Sequence, residues 1–156
     1  MAWFEAETES KAVVAAPPEA IWAALSDPAT VARLTPLVHA IEADGDLWRW
    51  QLARVPVLGL AVSPAFTEHM KFEEPHRIDY THAPPPGHVE HAGVEGCYVL
   101  EKVDRGTHLA VAMTVGVELP LPRATGIVVR TAMRTVIATM GAGFSRNLLR
   151  HLDVKG

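Results

Sequence analysis

Glu68 is the acid best placed to do chemistry. From Phe66 to Glu73 the chain alternates Phe66, Glu68, Met70 and Phe72 against Thr67, His69, Lys71 and Glu73. A strand here would point Glu68 the same way as three apolar side chains. A carboxyl facing an apolar interior is raised in pKa and can serve as acid or base near neutral pH. A β-bulge or a shifted register would instead turn it to solvent. Tyr80 and His82 share a face with Ile78 and complete the acid–base candidates, although no third group that would orient the pair is evident.

A second set of residues could line a binding space. Met70, Met113, Met133 and Met140 fall on presumed inner faces with Trp48, Trp50, Tyr80 and Tyr98, and Phe144 joins them from the last helix. Methionine adapts its shape, and Trp and Tyr bring polar atoms that need partners. A solid core would favour Leu, Ile, Val and Phe, so the choice lies between irregular packing and a ligand-lined interior. Arg123, Arg130 and Arg134 project within roughly 40° of one another on a helix. Arg130 and Arg134 could meet an acidic head group on an apolar ligand, or lie along the helix flank with their heads in water. His82, His88 and His91 surround a proline-rich loop, but it carries no cysteine and few carboxylates, so no metal site is expected. Cys97 has no partner motif and reads as an inert core thiol.

The elements that must position these groups follow from periodicity. Thr8–Ala16 reads as a strand ended by Pro17-Pro18. Pro18–Leu25 is a short helix with Pro18 in its first turn, and Ser26-Asp27-Pro28 ends it and caps a second one over Ala29–Leu34. Strands follow at Val38–Ala43, Leu47–Ala53, Phe66–Glu73, Arg77–His82, Gly96–Val103 and His108–Leu119. The tail, Arg123 to Leu152, reads as one amphipathic helix about 45 Å long. Val129, Met133, Val136, Ile137, Met140, Phe144 and Leu148 occupy one arc of it, and Thr131, Thr135, Thr139, Arg146 and Arg150 the opposite one. Gly141 and Gly143 interrupt it, marking a kink or the close approach of a neighbour or ligand. Short turns between strands predict an antiparallel meander with one buried face covered by the helix, an α+β fold.

In such a meander the connections Arg54–Pro64, Ala83–Gly93 and Glu118–Pro122 share one end of the sheet. The first, RVPVLGLAVSP, is too apolar for an ordinary surface loop. With Val57, Leu58, Leu60, Pro85 and Pro120 it forms the rim expected of a portal for an apolar ligand. A hidden extra strand, a dimer interface or a loop folded inward would explain it equally.

Composition sets the outer limits. The chain has 156 residues, 49% hydrophobic and 21% charged, as in a soluble globular domain. We expect a single domain over 1–156 with its core at about 8–152. A net charge of −4 argues against nucleic acid as a partner. No long uncharged apolar run is present, the last helix being broken by Arg130, Arg134 and Arg146, so no membrane span is expected. Glu5, Glu7 and Glu9 oppose a signal peptide. With one cysteine, the chain reads as cytoplasmic.

The segment APPEAIWAALSDPATVARL (Ala16–Leu34) follows the first strand, EEPHRIDY turns into a strand, and Gly106-Thr107 precedes the last strand. With the element order, these features resemble the START/Bet v 1-like helix-grip (SRPBCC) superfamily, whose bacterial members are often called polyketide cyclase/dehydrase-like proteins. The resemblance spans about Thr8 to Leu152. It implies about seven curved antiparallel strands wrapped around the C-terminal helix, and a cavity for lipids, polyketides, quinones or similar molecules. Some members are enzymes and many only bind or carry. Three functions stay open: a cofactor-free binder or transporter of a hydrophobic small molecule; a cyclase/dehydratase-type enzyme using Glu68, Tyr80 or His82; and a regulatory module that contacts a partner through the apolar rim. Either a monomer or a homodimer would serve.

Overall fold

The computed structural model describes residues 1–154, all but the last two of the expected domain. Its elements run β1 (Ala2–Val14), α1 (Pro18–Leu25), α2 (Pro28–Leu34), β2 (Val38–Asp44), β3 (Leu47–Leu52), β4 (Val55–Val57), β5 (Leu60–Val62), β6 (Ala65–Glu73), β7 (Arg77–His82), β8 (Ala92–Val103), β9 (Gly106–Leu119) and α3 (Gly126–His151). One seven-stranded sheet has the order β1-β9-β8-β7-β6-β3-β2, and every pairing is antiparallel. β1 closes the meander by pairing with the last strand, from Ala2 opposite Leu119 to Val14 opposite Thr107.

Two strands begin earlier than their periodicity suggests. β1 starts at Ala2, because Ala2, Phe4 and Ala6 are buried while the intervening Trp3, Glu5 and Glu7 face out. The acidic residues that oppose a signal peptide are therefore the wet face of an edge strand. β8 starts at Ala92, before Gly96, because Ala92 to Glu95 pair with β9 alone, beyond the last β7–β8 pair.

The apolar connection Arg54–Pro64 folds as the hairpin β4–β5, the extra-strand alternative. Its two-residue loop needs positive φ at both positions, and Leu58 (49°) and Gly59 (80°) supply it. A leucine is costly in that conformation, and Leu58 remains 47% exposed at the tip. Val55 and Val57 turn inward.

α1 and α2 plug one end of the sheet. Both begin with proline in the first turn, where a missing N–H matters least. Asp27 stands at the N-cap of α2, but its carboxylate accepts from the Thr30 hydroxyl and not from a backbone N–H. Thr107, fully buried at the start of β9, donates to the Ala16 carbonyl at 2.7 Å and ties the β8–β9 turn to the entry of α1.

α3 is preceded by a 3-10 turn over Arg123–Thr125. By length and composition, Arg123–His151 is apolar enough to cross a membrane, despite its arginines. In this fold it is the wall facing the sheet. Only 17% of its most apolar stretch is buried, so it is far from a fully packed core helix. The threonines of its outer face, Thr131, Thr135 and Thr139, return their hydroxyls to carbonyls one turn back.

The two glycines of α3 differ in purpose. Gly143 is buried against Pro36, whose Cγ lies 2.4 Å from where a Cβ would stand. A turn further on, Asn147 donates to the Leu34 carbonyl at 2.9 Å. The close approach is thus to the α2–β2 junction and not to a ligand. Gly141 is exposed, with open space around it. Gly141→Ala should raise stability by about 1 kcal/mol through helix propensity alone. Gly143→Ala should lose that gain to the clash with Pro36. Chemical denaturation of the two variants measures the contrast, and equal stabilisation would mean α3 is not held at Pro36.

Candidate functional site

The buried residues gather in two blocks, with half-buried Trp50 and Val94 packed against both. The first gathers Ile21, Trp22 and Leu25 of α1 with Trp48, Met70, Ile78, Leu109 and Leu148. The second gathers Phe4, Val55, Val57, Phe66, Val117, Val129 and Met133. Five elements, β1, β6, β8, β9 and α3, run from one block to the other. β6 places Phe66 in the second block and Met70 in the first, β9 places Val117 and Leu109, and α3 places Val129 and Leu148.

Between the blocks, packing loosens on β9 and α3. Val111, Met113 and Val115 of β9 alternate inward yet are only half-buried, and so are Val136, Ile137, Met140 and Phe144 of α3. Protein interiors ordinarily close to crystal-like density. Inward-facing side chains that keep accessible surface therefore mark a seam between sheet and helix. Tyr98 has the same character: it retains accessible surface although protein surrounds it deeply enough to push its hydroxyl well above the usual tyrosine range.

Glu68 lies in this seam, between Phe66 and Met70, and is only 2% exposed. Its neighbours across the sheet are Trp48 on β3 and His82 on β7. Trp50 and Tyr80 are its diagonal neighbours, a spacing aromatic side chains can bridge. Among the described residues no cation forms a salt bridge with it. Burial pushes its carboxyl up to about 8, and the nearby Trp50 indole pulls weakly the other way. That indole completes no hydrogen bond: Trp50 Nε1 is buried without a partner, as is the Tyr80 hydroxyl. Burial, then the neighbouring Tyr98 and Glu68, hold the Tyr80 hydroxyl in its protonated form. Its ring packs against Tyr98 with centroids 5.4 Å apart.

His82 does not join this group. It is paired with Glu68 through the backbone, but its ring stacks on Trp3 with centroids 6.5 Å apart and its Nε2 meets Glu90 Oε1 at 2.8 Å. Glu90 also accepts from the Thr67 backbone N–H at 2.9 Å and the Thr67 hydroxyl at 2.8 Å. Burial works against its charge, but these bonds and His82 hold the Glu90 carboxyl below its usual range. The ring fits because position 93 is glycine; a Cβ there would stand 2.4 Å from His82 Nδ1. This clasp fastens the proline-rich loop to the sheet. His91 meets Glu118 at 2.7 Å, and among the described residues no three His, Cys, Asp or Glu side chains gather as a metal site would require.

The other expected residues divide by position. Trp50, Tyr98, Met113, Met140 and Phe144 border the seam, half-buried. Trp48, Met70 and Met133 are buried in the closed blocks. Arg130 folds back against Gly126, and Arg134 is exposed on the flank. Of the rim residues, Val57 is buried in the second block, Leu60 packs on it, and Leu58 and Pro120 are exposed. Pro85, with Arg49, Val62, His88 and Glu90, lines a groove of about 390 Å³ between β5 and the proline-rich loop. The expected rim connections do meet there, but none of the seam side chains lines it. Val94, Val111, Val115, Val136 and Ile137 are seam residues that the sequence does not single out as lining a binding space.

A seven-stranded antiparallel sheet, two short helices after its first strand and a long C-terminal helix define a helix-grip α+β fold. Residues 5–153 match the family described as polyketide cyclase / dehydrase and lipid transport, and the chain belongs to that family. It is similar in structure to an aromatase/cyclase from Streptomyces sp. R1128, with 16% identity, TM-score 0.70 and coverage of 96% of this chain and 94% of that one. A START superfamily protein from Mycobacterium smegmatis gives 18% identity, TM-score 0.65 and coverage of 96% and 97%. A protein from Thermus thermophilus gives 19% identity, TM-score 0.65 and coverage of 94% and 98%. No curated protein matches the sequence.

The raised pKa of Glu68 has a consequence for stability. Below pH 4.5 the carboxyl is protonated in folded and unfolded chains alike and contributes no difference. As pH rises from there to about 8, the unfolded chain releases a proton that the folded chain retains, and the fold loses stability. Glu68→Gln should therefore stabilise the protein progressively over that window, with no change at pH 4. Urea denaturation at pH 5, 7 and 9 tests this; a stability difference independent of pH would place Glu68 in solvent.

Proposed function

We propose that this chain binds and carries a hydrophobic small molecule in the seam between the sheet and α3. The observation that supports this most is the division of the core into two blocks, with half-buried Tyr98, Met113 and Ile137 between them. A gap lined by apolar side chains forfeits dispersion contacts, and a bound apolar molecule restores them. The belt is built of methionine, valine and aromatic side chains, which fit varied apolar shapes. The free thiol of Cys97 accords with a cytoplasmic setting.

Filling the seam separates this reading from a solid core. Met113→Trp should lower uptake of the neutral dye Nile red at least tenfold while shifting unfolding free energy by less than about 1 kcal/mol, because a closed core would lose roughly 1–3 kcal/mol on overpacking. A variant that is strongly destabilised, with unaltered dye uptake, would contradict it.

One observation favours a second reading, an enzyme of the cyclase/dehydratase type. Burial pushes Glu68 up to about 8, with Tyr80 its diagonal neighbour across the sheet, so it could take a proton from carbon and return it during ring closure or loss of water. On that reading Glu68→Gln should lower kcat by about 10²–10⁴-fold with substrate affinity retained. His82 has no part in it, being held by Glu90.

A further inference from the structure

Trp50 and Tyr80 pose a question that the apolar seam does not answer. Each carries a buried donor with no partner, and both are diagonal neighbours of the same buried acid. A buried N–H or O–H left unpaired costs about 1–3 kcal/mol. Two such groups converging on one carboxyl in an otherwise apolar space are the arrangement of a polar subsite, where a few placed groups fix a ligand's orientation. Tyr80 is 3% exposed, so bulk water does not readily satisfy its hydroxyl.

The charge of the subsite limits what it can hold. Among the described residues no lysine or arginine acts on Glu68, Tyr80 or Tyr98 strongly enough to influence their protonation. The nearest candidates from sequence, Arg130 and Arg134, lie against Gly126 and on the exposed flank. A carboxylate or phosphate would enter beside an acid with no compensating cation and would be poorly stabilised. A neutral oxygen has no such difficulty. It can accept from the indole N–H and from the phenol, and Glu68 in its protonated form offers a third donor.

Resting on the reading that the seam binds a hydrophobic molecule, we propose that Trp50, Tyr80 and Glu68 form its oxygen-recognition subsite, and that the ligand is an apolar body bearing a neutral carbonyl or hydroxyl and not an anionic head. The apolar part lies along Tyr98, Met113 and Ile137, and the oxygen points at β3 and β7. Fatty-acid anions are thereby selected against.

Three naphthalenes of similar size test this by displacement of Nile red: 2-propionylnaphthalene, 2-propylnaphthalene and 2-naphthoate. The ketone should bind about tenfold tighter than the hydrocarbon, as two neutral hydrogen bonds would give, and the acid more weakly than the ketone. In Trp50→Phe/Tyr80→Phe the ketone's advantage over the hydrocarbon should disappear. Tyr80→Phe removes only an unpaired hydroxyl, whereas Trp50→Phe also trims the ring that stacks on Phe66, so far-UV circular dichroism verifies the fold of each variant. The single variants provide the same comparison should the double variant unfold. The infrared stretch of the bound ketone is an independent measure: it should lie at lower frequency in the parent than in Tyr80→Phe. Equal affinities for ketone and hydrocarbon in the parent, or an advantage that survives removal of both donors, would overturn the subsite while leaving the seam as an apolar binder. Failure of the protein to take up Nile red or any of the three probes would overturn the binding reading itself, and the subsite with it.

Discussion

The structure depends on how α3 is held at its two ends. Near its start, Val129 and Met133 close on Phe66, Val117 and the β4–β5 hairpin. Near its end, Leu148 closes on the α1–α2 plug, Gly143 admits Pro36, and Asn147 bonds to Leu34. Packing tightens wherever an extra element fills the angle between helix and sheet: the hairpin at one end, the two short helices at the other. The middle has no such filler. Along that stretch the inward methionine, valine and aromatic side chains are only half-buried.

Glu68 belongs to the same geometry. A carboxyl in a fully packed apolar block would be prohibitive unless paired. In the seam it sits between two blocks, keeps its proton to about pH 8, and has Trp50 and Tyr80 for neighbours. The arrangement still lowers stability above its unfolded pKa. The clasp of His82, Glu90 and Thr67 is the contrasting case. It is a polar group with every principal contact satisfied, and its effect is to fasten a loop.

Much of this was legible in the residues. The alternation of Phe66, Glu68 and Met70 offered an inward Glu68 but left open a bulge that would turn it to solvent, and the arc from Val129 to Leu148 identified the inner face of α3. The hairpin between Arg54 and Pro64 announced itself only as excess apolarity, because its loop uses Leu58 where a glycine or asparagine would signal a turn. The start of β1 was obscured by acidic residues that proved to be one face of an alternating strand. His82 misled because strand phase says where a side chain leaves the backbone, while its final contact was decided by Glu90, far enough along the chain that no local pattern joins them. The seam itself left no mark on Val111 or Ile137: a valine against a wall and a valine against a gap are the same letter.

Xenon binding tests the central claim most directly, since a gas atom enters dry apolar space and cannot enter a closed core. Crystals of the protein pressurised with xenon should show the gas between β8–β9 and α3, in contact with Tyr98, Met113 and Ile137. Side chains filling that space to normal density, with no xenon bound, would contradict the account.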